Sequence, residues 1–304
     1  FFFKQKTAYE IKECDWSSDV CTSDLEARFR ALLDEPRMTP ALALEVQTQI
    51  ARTLGLRRRF AEARALLDGL VPRFEGDSAR VRTRWLLEAG RTYASAIHAD
   101  DKPTAQALYL GAWSLARAHD EDRLAVDAAH MLAIIAPTPE AQDAWHASAL
   151  ALAEGSPDPA ARRWRASLLN NIGMAHHEAG RHAQALEAFQ AALAARLADG
   201  ANAQTVQIAR WMVAWELRFN GAHEQALAML RELDAEHSAQ GSADGFVFEE
   251  IGENLLALGR GAEAQPWFAR AWQLLQDDPE VAGDAARRER LRGLAQAPAS
   301  ERKP

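Results

Sequence analysis

The sequence predicts an all-α solenoid of about six helix pairs that ends in a capping helix. An alanine, a large apolar residue four places on and a small or apolar residue three further recur six times, with leading alanines 36 to 44 residues apart. Offsets of four and seven place these residues on one helical face, and a repeat near 40 residues is typical of stacked helix pairs. The sets are Ala63-Leu67-Leu70, Ala105-Tyr109-Ala112, Ala141-Trp145-Ser148, Ala185-Phe189-Ala192, Ala226-Leu230-Leu233 and Ala264-Phe268-Ala271.

Composition supports a helical protein and excludes two function classes. Apolar residues make up 48% of the 304, enough for a continuous core, and no apolar run approaches the roughly 18 residues that a membrane helix needs. The net charge of −8 does not provide the basic surface that nucleic-acid binding requires. We therefore expect a cytoplasmic protein without a membrane or nucleic-acid partner.

The first 25 residues differ from the rest of the chain. They show no apolar period and contain both cysteines, Cys14 and Cys21. The strings KQKTAYEI and CDWSSDVC resemble the translation of a sequencing-library adapter, so we expect residues 1–25 to be non-native and disordered, with the true N-terminus missing. A signal peptide would need a continuous apolar stretch, and a metal site would need a different cysteine spacing.

Turn residues divide the remaining chain into elements. We expect a partial helix and loop at 26–40, the repeat array at 41–276, a capping helix at 277–297 and a disordered tail at 298–304. Thr138 is a suitable cap before Pro139, and Pro103 suits a first helical turn. The predicted helices of the array are 41–54 and 60–74, 80–97 and 103–119, 122–136 and 139–154, 160–179 and 182–197, 203–219 and 223–237, and 246–258 and 262–275.

One helix pair carries a recognisable series of small and large residues. Leu169, Ile172-Gly173 and His176 precede Gly180, and Ala185-Phe189-Ala192 follow it; a similar series runs from Phe248 to Ala271. This pattern resembles the tetratricopeptide repeat (TPR) family, and the resemblance covers about residues 41–276. It implies a right-handed superhelix whose concave groove, lined by the first helix of each pair, binds a protein or peptide. The period exceeds the family's usual 34 residues and the closing prolines are mostly absent, as in repeat domains of large bacterial regulators.

The resemblance also indicates which side chains would line that groove. They lie three and four residues from the buried positions of the first helices, with arginines early, aromatic and imidazole groups in the middle and carboxylates late. The candidates are Arg52, Arg84, Arg91, Arg123, Asp127, His130, Asn170, Met174, His177, Trp211, Trp215, Arg218, Glu249 and Glu253.

Several of these candidates have both a structural and a functional interpretation. Trp211 and Trp215 either pack between repeats or anchor a bound peptide, but they are not core residues if Val213, Ala214 and Leu217 are. Asp127 and His130 form either a polar groove pair or an acid–base pair.

Two further groups contain residue types that bind cations. Adjacent His176 and His177 point about 100° apart and cannot bind one metal from that helix. The acidic patch at Glu249, Glu250 and Glu253 is either a cation site or a solvated helix face.

These observations favour a non-enzymatic scaffold or adaptor that binds a protein or peptide. The alternative is a sensor segment of a larger bacterial transcriptional or signalling regulator. An enzyme would need Asp127 or His130 as catalytic groups, and the sequence contains no phosphate loop or catalytic motif. We expect no cofactor and no metal. In the TPR family, lysine, asparagine and arginine side chains of successive first helices can bind the C-terminal carboxylate of a partner. The sequence does not support such a clamp here, because Met174, Trp215 and Glu253 occupy positions where it would need asparagine.

Overall fold

The computed structural model describes residues 19–74, 79–94 and 101–296. Regular structure in these ranges is α-helical apart from a 3-10 turn at Val71–Arg73. Helices adjacent in sequence pack against each other within the compact units, which confirms the predicted all-α repeat architecture. The helices are α1 Asp19–Leu32, α2 Pro40–Leu56, α3 Phe60–Asp68, α4 Ala79–Ala94, α5 Lys102–Ala118, α6 Asp122–Ile135, α7 Pro139–Gly155, α8 Pro159–Arg162, α9 Arg165–Glu178, α10 His182–Ala198, α11 Ala203–Phe219, α12 His223–Ala239, α13 Gly245–Ala257, α14 Gly261–Leu275, α15 Pro279–Ala282 and α16 Ala285–Gln296.

The chain divides into two compact units between Ile172 and Gly173, within α9. The predicted single helix 160–179 is interrupted, because α8 ends at Arg162 and α9 begins at Arg165. The backbone N–H of Trp164 donates to the carbonyl of Ala161 at 3.0 Å, and this three-residue spacing tightens the chain into a turn between the two helices.

The two ends of the chain differ from the predicted boundaries. Helix α1 begins at Asp19, so residues 19–25 are helical rather than disordered. Glu26 of α1 is buried and its carboxylate lies 3.1 Å from Arg57, which follows α2. The predicted capping helix 277–297 is divided into α15 and α16. Residues 1–18 and the predicted tail lie outside the described residues.

Local sequence signals account for the helix boundaries. The Thr138 hydroxyl accepts a hydrogen bond from the Ala141 N–H at 3.2 Å, which confirms Thr138 as the cap of α7. Gly180 has a φ of 71° between α9 and α10, a left-handed conformation that glycine adopts without a Cβ clash. This turn brings the end of α9 and the start of α10 close together.

The repeating alanines form the core in five of the six pairs. Ala63, Ala105, Ala185, Ala226 and Ala264 are each 0% exposed, and the large residues four places on are at most 1% exposed. The third set is wrong: Ala141 and Trp145 are half-buried and Ser148 is exposed. His146, Ala149 and Ala153 form the buried face of α7 instead, because Trp145 packs edge-on against Trp113, with ring centroids 5.7 Å apart.

Glycines in the first helices allow aromatic rings of the second helices to approach the backbone. A Cβ on Gly173 would lie 2.7 Å from the Phe189 ring, and one on Gly252 would lie 2.7 Å from the Phe268 ring. Gly90 has the same relation to Tyr109. Since real Cβ atoms do not approach this closely, each pair can close only around glycine. None of the described helices combines the length and apolarity needed to cross a bilayer.

Candidate functional site

The second unit contains a cleft that presents two tryptophans of α11. The Trp211 and Trp215 rings stack with centroids 5.9 Å apart and an interplanar angle of 9°. Both are half-buried, whereas Val213, Ala214 and Leu217 of the same helix are at most 6% exposed. The tryptophans therefore lie outside the apolar core of α11, and four-residue spacing aligns their rings.

Ion pairs surround these rings. The cleft, of about 340 Å³, is lined by Trp211, Trp215, Arg218, Glu249, Glu250, Glu253, Arg287 and Arg290, and we call it the aromatic cleft. Its walls come from the first helices of two successive pairs, α11 and α13, and from α16. Five of the predicted groove residues line this cleft, namely Trp211, Trp215, Arg218, Glu249 and Glu253. Glu250 belongs to the predicted acidic patch, and no sequence pattern predicts Arg287 or Arg290 as lining residues.

The acidic patch predicted on α13 is neutralised within the chain. Arg218 holds Glu250 through two hydrogen bonds of 2.7 and 3.0 Å, and Arg287 holds Glu249 at 2.5 and 3.1 Å. Arg290 pairs with Glu253 in the same manner. These carboxylates are therefore neither a solvated face nor free ligands for a cation.

One carboxyl group of the cleft is strongly perturbed. Burial raises the pKa of Glu250 to about 7, and the charge and hydrogen bonds of Arg218 offset only part of that rise. Removing a carboxylate from water is costly, and a single guanidinium does not fully compensate for the lost hydration. The rim of the cleft consequently changes its charge near neutral pH.

The substitution Glu250→Gln is expected to flatten the pH dependence of stability between about pH 4.5 and about pH 7. In the parent, Glu250 releases a proton when the protein unfolds in this pH window. Its contribution to the free energy of unfolding therefore falls as pH rises, by about 1.4 kcal/mol per pH unit and by about 3 kcal/mol in total. Glutamine does not titrate and removes this slope. Urea unfolding at several pH values measures it, and Glu263→Gln, at an exposed position, should keep the parent slope. A parent-like slope in Glu250→Gln would contradict the raised pKa.

In the first unit, three of the four candidate arginines are used within the chain. Arg84 lies 2.8 Å from Glu45, and Arg52 lies 3.4 Å from Glu88. Arg91 contacts Glu88 and Asp127, each at 2.5 Å. These residues lie on α2, α4 and α6, so the ion pairs link the first helices of successive pairs. Their charge is not free to attract an acidic peptide.

Arg123 differs from the other three arginines. It lines an open cleft of about 470 Å³ together with Ala160, Arg163, Trp164 and Ser167. Across the part of the chain that the structure describes, neither Arg123 nor Arg163 has an ion-pair partner. Trp164 also contacts His130, with ring centroids 5.7 Å apart. Two cations and an aromatic face therefore adjoin here.

Arg91 is the main ionic partner of Asp127, and His130 also acts on the Asp127 carboxylate. Burial opposes ionisation of Asp127, but the charges of Arg91 and Arg52 and the hydrogen bond from Arg91 lower its pKa below the ordinary value. Because Asp127 is ionised and bound by Arg91, it forms part of a structural ion pair rather than acting as a general base. Of the remaining candidates, Asn170 is buried and Met174 is half-buried.

His177 belongs to a group that the sequence analysis missed. Its Nδ1 lies 2.6 Å from Oε2 of Glu216, and Nδ1 of His182 lies 2.7 Å from Oε1 of the same carboxylate. The Glu216 side chain is 0% exposed, and the two imidazoles are 17% and 31% exposed. We call these three residues the histidine cluster. His176 is not part of it and instead accepts a hydrogen bond from Arg181 at 2.9 Å.

Comparisons with known proteins give only limited information. No protein-family model matches the chain, and no curated protein matches it. Among solved structures, the crystal structure of the TPR domain of P58(IPK) aligns over 98% of this chain and 94% of that chain, with 11% sequence identity and a TM-score of 0.33. The assignment of the repeat fold rests on the helices and their packing described above.

Proposed function

We propose that the protein is a non-enzymatic scaffold that binds an extended segment of a partner protein, with a bulky apolar side chain of that segment against Trp211 and Trp215. The observation that carries this proposal is the pair of stacked, half-buried indole rings in the aromatic cleft. Tryptophan and arginine are enriched among residues that contribute most to binding energy, and an apolar centre with a polar rim is typical of protein interfaces.

The ion pairs of the rim refine the kind of partner expected. Each carboxylate lining the cleft is matched by an arginine, so the cleft does not attract a segment of either charge strongly. The apolar anchor would supply most of the affinity, while the paired rim would orient the polar backbone of the segment. This favours an apolar anchor flanked by polar residues over recognition of a segment by opposite charges at the two ends of the groove.

Selection from a peptide library displayed on phage, with the full chain as bait, tests this proposal. Selected peptides are expected to share one bulky apolar position. Trp211→Ala or Trp215→Ala should weaken their binding by about 2 kcal/mol or more, which is about 30-fold in Kd. Isothermal titration calorimetry measures the affinity, and circular dichroism checks that each variant is folded.

Trp145→Ala provides the matched control. Trp145 is also half-buried and also contacts a second tryptophan ring, but it belongs to the first unit and does not line the aromatic cleft. It should leave the affinity at the parent value. Parent-like binding by both folded cleft variants, or equal weakening by Trp145→Ala, would contradict the proposal.

A further inference from the structure

The histidine cluster combines ligand atoms from three helices at one point. His177 lies in the last turn of α9, His182 is the first residue of α10, and Glu216 lies in the last turn of α11. The Gly180 turn brings the two imidazoles together, with ring centroids 5.2 Å apart. Asn220 holds the arrangement, since its side-chain amide donates to the carbonyls of His182 and Glu216 at 3.0 and 2.9 Å. The cluster is thus fixed by backbone contacts as well as by its own hydrogen bonds.

The buried carboxylate of Glu216 favours a bound cation. Its carboxylate is fully buried, and within residues 19–74, 79–94 and 101–296 no lysine or arginine pairs with it. The other buried carboxylates described above, those of Glu26, Glu88, Glu249 and Glu250, each face a guanidinium. A buried carboxylate is costly unless a cation or hydrogen-bond donors face it, and imidazole groups are themselves suitable ligands for a metal ion.

We infer that His177, His182 and Glu216 bind a divalent transition-metal ion, with Zn²⁺ as the best match. One nitrogen of each imidazole and one oxygen of the carboxylate lie within 4.8 Å of one another. Ligands of a tetrahedral zinc ion stand roughly 3.3 Å apart, given bonds of about 2.0–2.1 Å, so small side-chain rotations admit the ion. Two imidazoles and a carboxylate suit zinc and disfavour Mg²⁺ or Ca²⁺, which prefer all-oxygen sites.

The surroundings fit such a site. The two imidazoles are partly exposed, so water can reach an ion held by the three protein ligands and complete its coordination. The Phe219 ring stacks on the His182 ring with centroids 5.0 Å apart, and the centroid of the Trp215 ring lies 4.0 Å from that of His177. These aromatic rings restrict the rotation of both imidazoles. The inference does not depend on what occupies the aromatic cleft.

Calorimetric titration of the full chain with ZnCl₂, after removal of metals by a chelator, tests the inference. One ion per chain is expected to bind. Mutation of groups that only support a metal ligand costs about 10–100-fold in affinity, so loss of a direct ligand in His182→Gln or Glu216→Gln should cost about 100-fold or more. Co²⁺ should give the visible absorption of a tetrahedral ion and quench Trp215 fluorescence, and Trp215→Phe should remove that part of the quenching.

His237→Gln is the matched control, because the His237 ring is half-buried and its Nδ1 lies 3.3 Å from the Ser242 hydroxyl rather than in the histidine cluster. It should retain parent affinity. If circular dichroism shows that Glu216→Gln does not fold, His177→Gln and His182→Gln decide, since both positions reach solvent. Absence of binding, unchanged affinity in the folded cluster variants, or an equal loss in His237→Gln would overturn the inference.

Discussion

Replacing Ala185 by tryptophan is expected to destabilise the second unit by about 3 kcal/mol or more. Ala185 is 0% exposed in α10, one turn before Phe189, which is itself packed against Gly173. An indole at this position has no space to occupy, because the interior is close-packed and a glycine backbone already lies against the neighbouring ring. Urea unfolding followed by far-ultraviolet circular dichroism measures the loss.

Ala194→Trp in the same helix separates overpacking from any general effect of tryptophan. Ala194 is exposed, so its side chain can extend into solvent, and the unfolding midpoint should stay close to that of the parent. A midpoint for Ala185→Trp that equals the parent value would show that α10 does not pack by this face. Equal destabilisation by both variants would point to helix propensity instead of steric conflict.

The repeat architecture was predictable because it depends on size and spacing within short segments. Ala185, Phe189 and Gly173 obey a steric rule that is visible in a single helix pair, and the turn at Gly180 is set by its own backbone conformation. The third pair was mispredicted because Trp145 packs against another tryptophan, Trp113, and both rings remain only partly buried against the core. That choice depends on a neighbour on α5, which the local pattern does not contain.

The contacts of the predicted groove residues were harder to predict, because most of them join residues about one repeat apart. Arg52 and Glu88, Arg91 and Asp127, and His177 and Glu216 are separated by 36, 36 and 39 residues. Each side chain taken alone resembles a free groove residue. Comparing charges at one period's offset between successive first helices would have indicated these pairs.

Arg91→Met is expected to lower the free energy of unfolding of the first unit by about 3–5 kcal/mol, because it breaks the buried ion pairs of Arg91. Burial opposes the charge on Arg91, but Asp127 and Glu88 raise its pKa above the ordinary value, so it is ionised between two carboxylates. The side chains of Arg91, Asp127 and Glu88 are 18%, 13% and 5% exposed. Methionine keeps the apolar stem and removes the charge, which leaves Asp127 buried without its closest cation.

The pH dependence of this loss distinguishes an unpaired charge from lost packing. In the parent, the lowered pKa of Asp127 provides stability that is present above its ordinary pKa and is lost as pH falls through the folded-state pKa. In Arg91→Met, burial without the guanidinium should raise that pKa, so the difference in unfolding free energy should grow from about pH 4 to about pH 7. Arg292→Met breaks an exposed pair with Glu289 and should leave the midpoint unchanged at both ends of this range. If the loss of stability in Arg91→Met does not vary with pH, Arg91 contributes through the packing of its stem. If the unfolding midpoint of Arg91→Met equals that of the parent, the ion pairs between successive first helices do not stabilise this unit.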